Sequence, residues 1–62
     1  MRYFRSEFAG EVSLIDLDKV RRVVVVKTLS ESAVYFDNGD ILWCPHKVGQ
    51  AVFDALMERN DA

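Results

Sequence analysis

The Asn38-Gly39 pair limits the fold more than any other feature of the chain. It stands between two apolar runs, Val34-Tyr35-Phe36 and Ile41-Leu42-Trp43. Both residues of the pair tolerate positive φ, which a type I′ turn requires, so the stretch reads as a β-hairpin. A two-residue turn sets Asp37 opposite Asp40, Phe36 opposite Ile41, Tyr35 opposite Leu42 and Val34 opposite Trp43. Alternation then gathers Val34, Phe36, Ile41 and Trp43 on one apolar face, with Tyr35, Leu42 and Cys44 on the other. A three-residue loop with a bulge at Gly39 is the competing register. It sets Asp40 among the apolar residues, and the two-residue turn is preferred for that reason.

The rest of the chain supplies partners for this hairpin. Arg2 to Phe8 alternates as an edge strand, with Phe4, Ser6 and Phe8 on one side and Tyr3, Arg5 and Glu7 on the other. Ala9-Gly10 interrupts it, and Glu11 to Ile15 returns as a second strand with Val12 and Leu14 sharing a face. From Asp16 to Val20 the pattern suits one helical turn capped by Asp16, and equally a plain polar turn. The consecutive valines Val23 to Val26 place two side chains on each face, as in a strand covered on both sides. Ser30-Glu31-Ser32 reads as the loop into the hairpin.

Pro45 ends the last strand and opens a helix, where its missing N–H is not needed. From Lys47 to about Arg59, residues Val48, Ala51, Val52, Ala55 and Leu56 fall on one arc, and Lys47, Gln50, Asp54 and Glu58 gather opposite. Gly49 inside that helix signals close approach of another backbone. The expected fold is therefore α+β: an antiparallel β-meander of three to five short strands packed by one C-terminal helix. Residues 1–62 are read as a single small domain.

A chain of 62 residues has little core. At that size only about 60% of the unfolded surface is buried, so disulfides, metals or self-association commonly supplement the fold. Cys44 is the only cysteine, which excludes an intrachain disulfide and gives no sign of an oxidising compartment. No apolar run approaches the roughly 20 residues that cross a bilayer, and the start does not read as a signal peptide. A soluble cytoplasmic protein without membrane association is expected. Half of the residues are hydrophobic and the net charge is −2, so the chain folds and exerts no general pull on nucleic acid or anionic lipid. One helix covers one sheet face, which leaves apolar surface over. A homo-oligomer, with a dimer as the first expectation, resolves that surplus, and Tyr35, Leu42, Trp43, Phe53 and Met57 are the expected interface residues.

Few residues suggest chemistry. Cys44-Pro45-His46 brings a thiol and an imidazole close in sequence, but a metal needs about four ligands and no CxxC pair is present. A Cys–His nucleophile needs an oriented base and an oxyanion pocket that nothing else in the chain offers. Cys44 is read as a small buried hydrophobe and His46 as a polar residue at the helix start. Asp37, Asp40 and Glu31 form an acidic tip, and Asp beside Asn-Gly is ordinary turn chemistry. Asp16 and Asp18 are read in the same way. No enzyme, metal or cofactor is expected. Arg2, Arg5, Arg21 and Arg22, with Tyr3 and Phe4, support a second reading, a sheet-borne platform for single-stranded nucleic acid. The negative total charge and the lack of RNP-like aromatic spacing weigh against it, and a protein partner is the first expectation.

The order of strand, Gly10, strand, Asp18-x-Val20, valine-rich strand, Val34-x-Phe36-x-Asn38-Gly39, strand, and a helix carrying Val48, Val52 and Leu56 resembles short bacterial flagellar proteins of the FlbD-like type. It is similar, more remotely, to the strand-turn-strand-helix end of LytTR-type DNA-binding domains. Trp43-Cys44-Pro45-His46 belongs to neither pattern. The resemblance implies a bacterial, non-enzymatic accessory protein and carries over no catalytic residue.

Overall fold

The computed structural model of the chain describes residues 3–61, with side chains through Glu58. Strand β1 (Tyr3–Phe8) pairs antiparallel with β2 (Glu11–Asp16), and β3 (Val20–Val26), β4 (Glu31–Phe36) and β5 (Ile41–Pro45) form a second antiparallel sheet in that order. Helix α1 spans His46–Asp61. The architecture is the α+β meander with a C-terminal helix that the sequence patterning implies. The meander is broken into two sheets by a single 3-10 turn at Leu17–Lys19. Asp16 caps that turn, its Oδ1 accepting from the Asp18 N–H at 3.0 Å, so of the two readings for this stretch the capped helical turn is the one that forms.

The two-residue turn expected at Asn38-Gly39 does not form there. The hairpin between β4 and β5 pairs Val34 with Leu42 and Tyr35 with Ile41, one residue out of the preferred register. Its loop has three residues, Asp37, Asn38 and Gly39, closed by the Phe36 N–H on the Asp40 carbonyl at 2.9 Å and the Gly39 N–H on the Phe36 carbonyl at 3.1 Å. Of those three only Gly39 has positive φ, +96°. A type I′ turn needs two such residues in succession, whereas a type I turn followed by a glycine bulge needs one. Asn38 spends its side chain on the loop, its Oδ1 accepting from the Asp40 N–H at 2.9 Å. The two-residue turn with both residues left-handed is instead Ala9-Gly10, at φ 54° and 78°.

That one-residue difference exchanges the faces of β5. Leu42 and Cys44 join Ser32, Val34 and Phe36 beneath the helix, while Ile41 and Trp43 join Ala33 and Tyr35 on the far side. Asp40 causes no conflict, because the covered face ends before reaching it and its carboxylate lies exposed beside Asn38. The expected loop at Ser30-Glu31-Ser32 is also corrected. Glu31 and Ser32 belong to β4, and Ser32 is among the most completely buried side chains described.

The core lies between this sheet, α1 and the β1–β2 hairpin. Val34 and Val52 are fully buried at its centre, with Ile15, Leu17 and Cys44 around them and Phe4, Phe8, Val23, Leu42, Val48 and Leu56 packed on. Complete burial of one such valine is worth about 1.5–3 kcal/mol. The helical arc behaves as its spacing predicts, with Val48, Ala51, Val52, Ala55 and Leu56 turned inward. Pro45 is the last residue of β5, and the helix begins one residue later, at His46. Gly49 lies directly on Ser32: a Cβ at Gly49 would overlap the serine Cβ and Oγ and come within 3.7 Å of its Cα.

Gly49→Ala is therefore expected to lower stability by about 2 kcal/mol or more despite its better helix propensity. Ser32→Gly in the same chain should recover most of the loss, as thermal or urea unfolding of the two variants would report. Ala9→Gly relieves a left-handed alanine and is expected to raise stability by about 1 kcal/mol in the same assay.

Candidate interaction surface

The far side of the β3–β4–β5 sheet is a regular grid. The register sets Arg22, Tyr35 and Ile41 in one row, Val24, Ala33 and Trp43 in the next, and Val26, Glu31 and Pro45 in the third. Neither α1 nor the β1–β2 hairpin covers this face, because both belong to the core on the opposite side. Trp43 keeps 63% of its surface in contact with solvent and Ile41 44%, while Tyr35, Val24 and Val26 are half-buried by their neighbours. Ala33, at the centre, is buried by the taller side chains around it. The Arg22 guanidinium stands over the Tyr35 ring, 5.4 Å from its centroid, a cation–π contact that holds the charge above the middle strand.

Of the residues expected at an interface, Tyr35 and Trp43 share this face. Leu42 does not: the true register turns it toward the helix, where it packs half-buried against the core. Phe53 and Met57 are exposed on α1, 42% and 48% respectively, on the other side of the molecule's sheet. Ile41 takes the place assigned to Leu42, and Val24 and Ala33 complete the patch. The loop register hid Ile41. A separate apolar group, Tyr3, Val12 and Leu14, is exposed on the outer face of the β1–β2 hairpin.

The Cys44-Pro45-His46 stretch runs from the end of β5 into the start of α1. Cys44 is buried, and its Sγ lies 3.2 Å from Ser32 Oγ. The same hydroxyl lies 3.2 Å from the Cys44 carbonyl and 3.1 Å from the Pro45 carbonyl, to either of which it donates. A thiol proton given to Ser32 Oγ and a hydroxyl proton given to a carbonyl satisfy both polar side chains beneath Gly49. His46 is half-buried at the helix start, its backbone N–H donating to the Ser30 carbonyl at 3.2 Å. Among the described residues no group of three or more His, Cys, Asp and Glu side chains is placed to hold a metal ion.

The acidic tip is divided. Glu31 lies at the opposite end of β4 from Asp37, roughly 20 Å away at the rise of an extended strand. Asp37 and Asp40 instead join Asp16, Lys19, Phe36 and Asn38 around an open groove of about 510 Å³. Two of its lining residues are joined through the main chain, the Asp37 N–H donating to the Lys19 carbonyl at 2.8 Å. Asp40 accepts from the Asn38 amide at 3.1 Å, so its carboxylate serves the turn.

The basic residues are dispersed. Arg2 lies outside the described residues. Arg5 is on β1, exposed and 3.5 Å from Glu7, while Arg21 and Arg22 are on β3 of the other sheet. Phe4, one of the aromatics expected beside them, packs into the core. No helix among the described residues is long and apolar enough to cross a membrane. No family model, curated protein or solved structure matches the chain.

Cys44→Ala is expected to cost on the order of 1 kcal/mol, from a small cavity at the Ser32 hydroxyl, and to leave the metal content of the purified protein unchanged. Elemental analysis beside a melting curve checks both halves. Ser6 Oγ is buried with no hydrogen-bond partner among the described residues. Ser6→Ala should accordingly leave the melting temperature unchanged or raised.

Proposed function

We propose that the protein is a non-enzymatic interaction module that works through the outer face of its three-stranded sheet and associates with itself there, as a homodimer in the first instance. One observation carries the reading: Trp43, largely exposed, and Ile41, exposed, stand beside Tyr35 on a sheet face that the protein's own helix and hairpin leave uncovered. Aromatic side chains concentrate binding energy at protein interfaces, and a contiguous apolar patch is unusual on a surface meant only for water. The small core of a 62-residue chain gives a second reason for association. A cytoplasmic accessory role of the kind implied by the bacterial flagellar resemblance accords with such a module.

A second reading draws on the same face. Arg22 over Tyr35, with Trp43 one row away, offers the stacking surface and cation that single-stranded nucleic acid uses. Against it, the net charge is −2 and the described arginines are divided between two sheets. Salt-steep retention on heparin would favour this second reading.

Sedimentation equilibrium over a wide range of protein concentration tests the first reading. The native chain is expected to sediment with a mass above its 7.1 kDa monomer, and Tyr35→Asp and Trp43→Ser to return it to the monomer without loss of helical circular dichroism. A native chain that is monomeric at millimolar concentration would refute self-association.

A further inference from the structure

Resting on that reading, we infer the arrangement of the pair: two sheets packed face to face about a two-fold axis that lies across the strands through Ala33, so that Arg22 of each copy meets Glu31 of the other. The inference follows from the symmetry of the grid. Ala33 lies midway along β4 on this face, with Tyr35 two residues to one side and Glu31 two residues to the other. A two-fold axis across the strands keeps β4 over β4 and reverses its direction, which brings Tyr35 of one copy over Glu31 of the next. The Arg22 guanidinium is already held above the Tyr35 ring. It therefore meets the opposing carboxylate without leaving its aromatic support, and it does so twice in the dimer. A two-fold along the strands does not do this, because it sets Glu31 against Glu31.

The apolar residues fit the same operation. The middle row falls on the axis, so Trp43 meets its own copy and Val24 meets Val24, with the short Ala33 between them permitting close approach. Aromatic pairs of this kind settle in offset or edge-to-face contact. Sheets packed face to face stand about 10 Å apart, a spacing filled by side chains of this size.

Charge exchange tests the arrangement. Arg22→Glu and Glu31→Arg each set like charges together twice per dimer, and each is expected to raise the dimer dissociation constant about tenfold or more. Mixing the two single variants restores opposite charges at both contacts, so the mixture should recover dimers close to the native affinity, as should the chain carrying both changes. Circular dichroism confirms that the exposed substitutions leave the fold intact. If the single exchanges have no effect while Trp43→Ser still dissociates the pair, the face is used in another geometry and this inference fails alone. If Trp43→Ser and Tyr35→Asp leave the mass unchanged, the functional reading fails with it.

Discussion

Helix α1 can rest on the β3–β5 sheet only because Gly49 has no side chain where Ser32 rises beneath it. That contact sets the helix height over the sheet. It brings Val52 onto Val34 at the centre of the core and encloses the Ser32 hydroxyl together with the Cys44 thiol. A glycine within a helix costs about 1 kcal/mol of propensity, and here the loss is offset by full burial of two valines. A buried serine at the same point is tolerable because its hydroxyl has two carbonyls and a thiol within reach.

The helix and the β1–β2 hairpin lie on the same side of the sheet, and this decides what surface remains. Ile15, Leu17, Phe4 and Phe8 add to the core from the helix side, so the hairpin thickens the covered layer and leaves the far side bare. With so short a chain no further element exists among the described residues to lie over it. A layered domain buries one face of each layer against the next, and a two-layer arrangement leaves outer faces that are ordinarily polar. Here the outer sheet face carries Trp43, Ile41, Tyr35 and Val24, which sets it apart from a solvated face.

Much of this was open to reading from the residues. Strand and helix identities followed from period, Gly49 from its cost within a helix, and Tyr35 and Trp43 from their aromaticity, while Asp16 suited a capped turn and a plain polar turn equally. The β4–β5 register was not, because Asp37-Asn38-Gly39 admits both a two-residue and a three-residue loop with good local chemistry. The objection to the latter was the placement of Asp40, and it dissolves once the covered face is seen to end short of that residue. Leu42 was assigned to the wrong face by that single step, and Ile41 was overlooked by the same one. Ser32 was taken for loop because serine beside glutamate reads as polar and exposed. Nothing local announces that a helical glycine will lie on it.

What the chain determined alone is the set of elements, since hydrophobic period, a proline stop and glycine turns act over a few neighbouring residues. Tertiary structure decided which apolar face each strand buries and which it leaves outside. The reason is physical: strand side chains alternate with a period of two, so a one-residue slip reverses a face at little local cost. Only the fit of Val34, Leu42 and Cys44 beneath Val48 and Val52 selects between the two arrangements.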